Sequence, residues 1–393
     1  MLTNGYLPQM DWTDRHYRFM MRMITRKTLL YTEMVVDQTL LHQQKHLDYF
    51  LGHDPVEAPL ALQLGGNSIE DLGAAAKLSQ LYGGFCEINL NSGCPSALVS
   101  RRCFGARLML EPERVRDVCV SMRRNIAVAA EQTRDTHSAA EVTVKCRIGV
   151  DECDHYEQLH QYVASVASAG VRHIIVHARK CYLKGLSPKE NRTIPPLRYD
   201  VVYRLKQDFP DVMFTLNGGV KSIQHARALL DTTNVDGVMI GRAAYQTPWN
   251  FRHADTLIFH AEHDPNLSRR EILQRYLAYA DELQAKWGST EPLSDAPYTM
   301  ATSVLLKPLL TLFNGEVGGK AFKRAIAAQW AKKGPRPGLR DLIETAVKVL
   351  PDAVLDARAD DETLHHEGLT QNKPVAGTAS GGTQWTISNP TVA

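Results

Sequence analysis

The chain lacks any Cys-x-x-Cys pair, any apolar run of about 18 residues and any appreciable net charge, and each absence removes a class of protein. Its seven cysteines (Cys86, Cys94, Cys103, Cys119, Cys146, Cys153, Cys181) are odd in number and irregularly spaced. That argues against a disulfide framework or a zinc site, and for reduced thiols in a cytosol-like compartment. With no long apolar run, no membrane span is expected. The N-terminus shows no basic-plus-apolar leader pattern, and Pro8 to Trp12 already reads as structural, so a cytoplasmic location is expected. With 45 basic against 43 acidic side chains, any polyanion site must come from local clustering. What remains is an ordinary globular composition, 44% apolar and 22% charged, and 393 residues suit one large domain or two unequal ones.

Short apolar runs rich in β-branched residues recur along the first 250 residues. They are "LYTEMVV" (30–36), "PLALQLGG" (59–66), "CEINLNSG" (86–93), "VTVKCRIG" (142–149), "HIIVHARK" (173–180), "MFTLNGG" (213–219) and "DGVMIGRAA" (236–244). An eighth strand is expected from "GYLPQM" (5–10). Segments of helical period lie between them, among them "SIEDLGAAAKLSQLYG" with Ser68 as N-cap, "EPERVRDVCVSMRRNIAVAAEQ", "DHYEQLHQYVASVASAG" and "SIQHARALLDTT" from Ser222. Strands alternating with helices predict parallel pairing, and eight such units in about 250 residues fit an α/β fold of the (β/α)8 TIM-barrel type.

After Trp249 only helical patterns follow: "SRREILQRYLAYADELQAKW", "YTMATSVLLKPLLTLF", "GGKAFKRAIAAQW" and "GLRDLIETAVKVL". The expected organisation is a barrel over 1–250, an all-helical C-terminal domain over 251–356 and a disordered tail over 357–393, where apolar residues are few. Pro308 is expected to kink its helix.

A barrel of this kind builds its site from the C-terminal ends of its strands. Here those ends carry Gln63; Asn89 and Asn91 with Cys94; Lys145 and Arg147; His177 and Arg179; Asn217-Gly218-Gly219; and Gly241-Arg242. Singly, each has a plain structural reading, because turns favour Gly and Asn for backbone reasons. Jointly, glycines after the last two strands, the second followed by Arg242, match the phosphate position of the fold and imply a phosphate-bearing ligand. Lys145 has two readings, a Schiff-base amine of a lyase or a cation held against a cofactor's negative charge, and both stand at this point. Cys94, between Gly93 and Pro95 on an irregular loop, has the setting of a nucleophile or a proton donor. No adjacent histidine activates a thiolate, which favours the donor.

Between residues 301 and 350 nine Lys/Arg stand against three acids, on a chain that is otherwise balanced. The plain reading is a solvated helix face; the functional one is a phosphate-contacting surface. Lys320 and Lys323 lie about one helical turn apart and share a face.

The motifs "LPQMDWTDRHYR", "LLYTEMV", "ALQLGG", "EINLNSGCPS", "FGARLM", "VKCRIG", "IVHARK", "KGLSPKENRTIPPL", "LNGGV" and "DGVMIGRAAY" fall in an order that resembles the tRNA-dihydrouridine synthase family, most of all the branch acting at positions 20 and 20a. The resemblance is strong over 7–250 and weaker over 267–330. It implies an FMN enzyme that reduces a uridine of the tRNA D-loop with electrons from NADPH. It implies that Pro8, Gln9, Met10, Gln63 and Lys145 contact the isoalloxazine, and that Gly218, Gly219, Gly241 and Arg242 hold the phosphate with His177 and Asn217 alongside. Cys94 matches the general acid, Asn91 a contact to the target base, and Lys189, Arg192, Lys320 and Lys323 the positions that orient the tRNA. No metal and no stable protein partner are implied. Arg102 and Arg107 stand where the family favours small residues. Other readings are another barrel enzyme, such as a dihydropyrimidine-type dehydrogenase or a Schiff-base lyase, and a tRNA-binding paralogue without FMN.

Overall fold

The eight strands of the barrel are β1 (Thr3–Tyr6), β2 (Leu30–Val36), β3 (Leu60–Gly65), β4 (Glu87–Ser92), β5 (Glu141–Arg147), β6 (His173–His177), β7 (Met213–Asn217) and β8 (Gly237–Ile240). All pair in parallel in the order β1-β8-β7-β6-β5-β4-β3-β2, and β1 and β2 lie against each other at the seam. This computed structural model describes residues 3–6, 12–133, 138–289, 291, 298–332, 334 and 337–361. The expected barrel is present, with one shift. The first strand runs over 3–6 rather than 5–10, and Pro8, Gln9 and Met10 lie outside the described residues.

The principal helices are α1 (Arg15–Ile24), α2 (Ile69–Tyr82), α3 (Pro112–Gln132), α4 (Tyr156–Ser168), α5 (Tyr199–Asp208), α6 (Ile223–Thr232), α7 (Arg269–Trp287), α8 (Thr302–Leu309), α9 (Gly319–Trp330) and α10 (Leu339–Ala346). Side-chain caps set several starts: Ser68 accepts the Asp71 N–H, Ser222 that of His225, and Ser268 forms a capping box with Glu271. Pro308 sits in the last turn of α8 and the helix ends at Leu309, so the proline marks a terminus and does not kink a longer helix. Past Pro308 the chain continues in turns, without a further helical turn to bend.

Period-2 alternation places the functional groups. On β4, Ile88 and Leu90 are fully buried in the main core that the sheet shares with its helices, while Glu87, Asn89 and Asn91 face the barrel interior. Within the barrel a separate small apolar cluster is formed by Leu29, Tyr31, Ala61, Ile175 and Met239. Above and around it the interior is polar.

Helix α1 buries an apolar stripe at helical spacing, Tyr17, Met20, Met21 and Ile24, and two arginines beside it are buried as well. Arg18 pairs with Glu57 at 2.6 Å, with both side chains almost wholly buried. Arg22 donates to the carbonyl oxygens of Glu57 (2.7 Å) and Pro59 (3.0 Å). Together they fasten α1 to the segment that leads into β3. The other side of α1 receives the C-terminal helices: Phe19 stacks on Tyr279 of α7 at 4.0 Å, and His16 bonds the Tyr279 hydroxyl at 3.0 Å. The described residues from 3 to 359 belong to one compact unit. The chain also stays packed past the expected start of the tail at 357. Ala357 and Ala359 are buried and Arg358 pairs with Glu271 at 3.0 Å, whereas 362–393 lie outside the described residues. Among the described residues no helix is long and apolar enough to cross a membrane.

Removing Glu57 strands a buried guanidinium, so Glu57→Ala is expected to destabilise the fold by about 3–5 kcal/mol. Urea unfolding checks this; a loss under about 1 kcal/mol would show that water or a rearranged loop replaces the carboxylate.

Candidate active site

A cleft of about 300 Å³ opens at the C-terminal ends of the strands, lined by Trp12, Met34, Gln63, Asn91, Gly93, Cys94, Pro95, Ser96, Lys145, Arg147, His177, Pro188 and Arg192. It gathers Gln63, Asn91, Cys94, Lys145, His177 and Arg192 from the residues expected to form the site. Asn217 lies just beneath, where its Oδ1 accepts from Lys145 Nζ (3.3 Å) and its Nδ2 donates to the Met239 carbonyl (2.8 Å).

The loop after β4 is fixed by its own backbone. Asn91 Oδ1 accepts the N–H groups of both Gly93 and Cys94 at 3.0 Å, and the Cys94 carbonyl accepts the Ala106 N–H at 2.9 Å. Gly105 has φ +67°, and a Cβ there would lie 2.6 Å from the Cys94 carbonyl oxygen, so only glycine permits this approach. Asn91 is thus largely occupied in holding the loop, and Gln63 takes one of its amide hydrogens at 2.7 Å. Among the described residues the other amide hydrogen has no hydrogen-bond acceptor. Burial pushes the Cys94 thiol up, and the nearby Ser96 amide and the cations Arg147, Arg192 and Lys145 only partly oppose it. At neutral pH the group is a thiol, able to give a proton.

The cleft is otherwise cationic. Burial, helped by Arg147, lowers Lys145 to about 7, and burial with Arg147, Lys145, Arg179 and Arg242 around it holds His177 well below its ordinary value. Arg147 donates to the carbonyls of Gly93 (3.1 Å) and Asn191 (2.9 Å), which ties the Cys94 loop to the loop after β6. Arg242 donates to the Arg192 carbonyl at 3.1 Å. Among the described residues no carboxylate pairs with Lys145, Arg147, Arg179, Arg192 or Arg242, and the Nε atoms of Arg179 and Arg192 are buried without a hydrogen-bond partner. Lys145 and Arg147 are buried and the other three partly so, and cations without such partners ask for an anion.

Gly218 (φ +116°) and Gly219 (φ +72°) close the end of β7, and a Cβ on Gly218 would come within 2.7 Å of the His177 ring. These glycines, with Gly241 and Arg242 after β8, therefore lie on the His177 side of the mouth. Lys189 is exposed on the loop after β6. Lys320 and Lys323 are exposed on α9, beside an open recess of about 520 Å³ lined also by Asn314, Glu316 and Arg324. The cleft lining therefore does not include Lys189, Lys320 or Lys323. Arg102 and Arg107 are exposed to solvent.

Arg147, named from the sequence only as a strand-end residue without a role, and Glu87, not singled out there, both bear on this centre. Arg147 is two positions from Lys145 on β5, so strand alternation puts it on the same face. Glu87, two and four positions before Asn89 and Asn91, shares their face on β4 for the same reason, though at the far end of the barrel.

The family model described as "Dihydrouridine synthase (Dus)" matches residues 6–328. A Synechocystis sp. protein named tRNA-dihydrouridine(20/20a) synthase is 41% identical over 345 residues, 87% of this chain and 92% of its own. Proteins of the same name from Pseudomonas putida (42% over 321 residues, 82% of this chain and 87% of its own) and Vibrio parahaemolyticus (40% over 343 residues, 87% and 95%) are similar to it to the same degree.

The lowered Lys145 carries a signed pH dependence. Its ordinary value is 10.5 and its value in the fold about 7. Below 7 both folded and unfolded chains hold the proton and the burial penalty is fully present. From there up to 10.5 the unfolded chain binds more protons, so this contribution grows more favourable as pH rises. Lys145→Met should therefore raise the melting temperature of the ligand-free protein most at about pH 6, with the gain shrinking toward pH 10. A gain that does not change with pH would refute the titration.

Proposed function

Because the chain belongs to the dihydrouridine synthase family, we propose that it reduces uridine to 5,6-dihydrouridine in the D-loop of tRNA, at positions 20 and 20a, with FMN as cofactor and NADPH as reductant. The observation that carries this reading is a protonated, half-buried thiol, Cys94, on a backbone-locked loop beside a cationic cleft that has no carboxylate among its described lining residues.

The residues present fit the cofactor. A flavin mononucleotide brings a dianionic phosphate and an electron-poor ring, and the cleft offers Lys145, Arg147 and Arg192, none with a carboxylate partner among the described residues. Gly218, Gly219, Gly241 and Arg242 would hold the phosphate, with His177 and Asn217 alongside, while Gln63 and Lys145 would face the ring. Pro8, Gln9 and Met10, proposed for the same ring, lie outside the described residues. When bound and reduced, FMN supplies the hydride that C6 of the uracil accepts.

The rest is the work of the chain. As C6 accepts the hydride, the C5–C6 π bond breaks and C5 must take a proton, which Cys94 Sγ is placed to give. The thiolate so formed stands near Arg147, Arg192 and Lys145, the same cations that oppose the burial of the thiol, and it regains its proton from solvent. Asn91 has one amide hydrogen for the base, and Asn217 keeps Lys145 directed at the mouth. A Lys145 lowered to about 7 would also suit a Schiff-base amine, but membership of this family sets the lyase reading aside.

A uridine stacked within folded tRNA reaches such a cleft only if it leaves the stack, so the enzyme must hold the RNA around it. We assign this to Lys189 and Arg192 on the loop after β6 and to Lys320 and Lys323 on α9, within the helical region 251–356.

The test is Cys94→Ala. The purified variant should remain yellow and oxidise NADPH, while dihydrouridine formation on tRNA falls about a hundredfold or more. Undiminished product would remove the thiol from the mechanism, and a colourless protein that cannot take up added FMN, wild type included, would favour the flavin-free binder. For the RNA surface, changing Lys320 and Lys323 together to Ala should weaken tRNA binding and lessen its salt dependence by roughly one to two counterions. Unchanged binding would return these lysines to a solvated helix face.

A further inference from the structure

Beneath the cleft, inside the barrel, five hydrogen bonds form a line that runs one way. The Cys94 N–H donates to Asn91 Oδ1 (3.0 Å), and Asn91 Nδ2 donates to Gln63 Oε1 (2.7 Å). Gln63 Nε2 then donates to Asn89 Oδ1 (2.8 Å), Asn89 Nδ2 to Thr143 Oγ1 (2.9 Å), and the Thr143 hydroxyl to Glu87 Oε2 (3.1 Å). The middle members are three primary amides and a hydroxyl, each able to donate or accept. The ends have no such freedom. A backbone N–H only donates and an ionised carboxylate only accepts, so both ends impose the same polarity on everything between them.

We propose that Glu87 is a positioning residue for the reaction: through Thr143, Asn89, Gln63 and Asn91, its carboxylate fixes the direction of three amides and hence the backbone of the loop that carries Cys94. Glu87 cannot act on substrate itself. It lies four residues below Asn91 on β4, about 13 Å along the strand from the cleft. Its carboxylate is held on other sides by the Tyr31 hydroxyl (2.9 Å) and His173 Nδ1 (3.1 Å), so it cannot turn to meet a different donor.

A glutamine at 87 removes the constraint at one end, since its amide can donate to Thr143, and leaves only the N–H groups of Gly93 and Cys94 to set the direction of the line. In the reversed direction Asn91 presents its NH2 to those N–H groups, donor against donor, so competition between the two directions loosens both bonds that fix the loop. The inference rests on Cys94 as proton donor, but the geometry of the line does not.

The experiment compares Glu87→Gln and Thr143→Val with wild type in the full-length protein, alone and combined with Asn91→Ala. Thr143→Val breaks the line with an isosteric, strand-compatible side chain, and decides the matter if Glu87→Gln does not fold. Three quantities are read: the peptide-resolved rate at which iodoacetamide alkylates Cys94, the rate of dihydrouridine formation on saturating tRNA, and the melting temperature. We expect Cys94 alkylation to change about threefold or more and dihydrouridine formation to fall roughly tenfold to a hundredfold, as for a reacting group displaced by about an ångström. In the Asn91→Ala background neither second substitution should change alkylation further.

Alkylation within twofold of wild type in the folded variants, whatever happens to the melting temperature, would reduce Glu87 to a structural brace and overturn the proposal. Additive effects in the Asn91→Ala background would overturn it as well. If alkylation shifts as expected while dihydrouridine formation persists even in Cys94→Ala, the line stands and the thiol's assignment as the proton donor fails.

Discussion

Burying a carboxylate in the middle of a barrel is costly unless donors surround it, and Glu87 has three, from three different strands. Burial pushes its carboxyl up, but the neighbouring His173 and the donors Tyr31 and Thr143 outweigh this and hold it below the usual carboxylate range. The remaining polar side chains of the interior follow from that charge. Gln63, Asn89 and Thr143 are almost completely excluded from solvent, so each must bond a neighbour, and only one arrangement agrees with an acceptor at one end and backbone donors at the other. A barrel interior filled with branched apolar residues would be easier to pack. It would also leave the loop after β4 without a fixed reference.

The mouth of the barrel poses the opposite electrostatic problem. Lys145, Arg147, Arg179, Arg192, Arg242 and His177 converge there without a carboxylate among the described residues, and burial first, with repulsion from the neighbouring cations second, explains the lowered Lys145 and His177. Such a cluster weakens the ligand-free fold and is relieved when an anion enters. The two charged regions are kept apart along the strands: one carboxylate low in the barrel, the cations at the rim, and neutral amides between. Had a carboxylate been placed at the rim, it would have paired with Lys145 or Arg147 and competed with any phosphate-bearing ligand.

Much of this was legible in the sequence because strand alternation is a strong signal. Seven of the eight strands appear where the apolar runs place them, and residues at the C-terminal ends of β3 to β6 meet in one cleft, as a parallel barrel requires. Helix α1 carries a readable apolar stripe in Tyr17, Met20, Met21 and Ile24, but the burial of Arg18 and Arg22 was not legible, since their acceptors, Glu57 and Pro59, are more than 30 residues away. The part played by Arg147, seen in the sequence only as a strand-end residue, and Glu87 altogether were missed for a related reason. Their importance lies in partners contributed by neighbouring strands and loops, and no pattern within one strand records which donor faces which acceptor.

Asn91 shows how the structure sharpens a sequence reading. Its place before Gly-Cys-Pro suggests a contact to substrate, yet most of its hydrogen-bonding capacity goes to Gly93, Cys94 and Gln63. A proton donor has to meet two conditions, a protonated resting state and a conjugate base that the site tolerates. Burial secures the first for Cys94, and the rim cations secure the second. Neither is useful if the sulfur moves, and the groups that keep it still are not those that tune its acidity. Separating the two tasks lets the rim adapt to its anionic ligands while the line beneath it holds the loop in place.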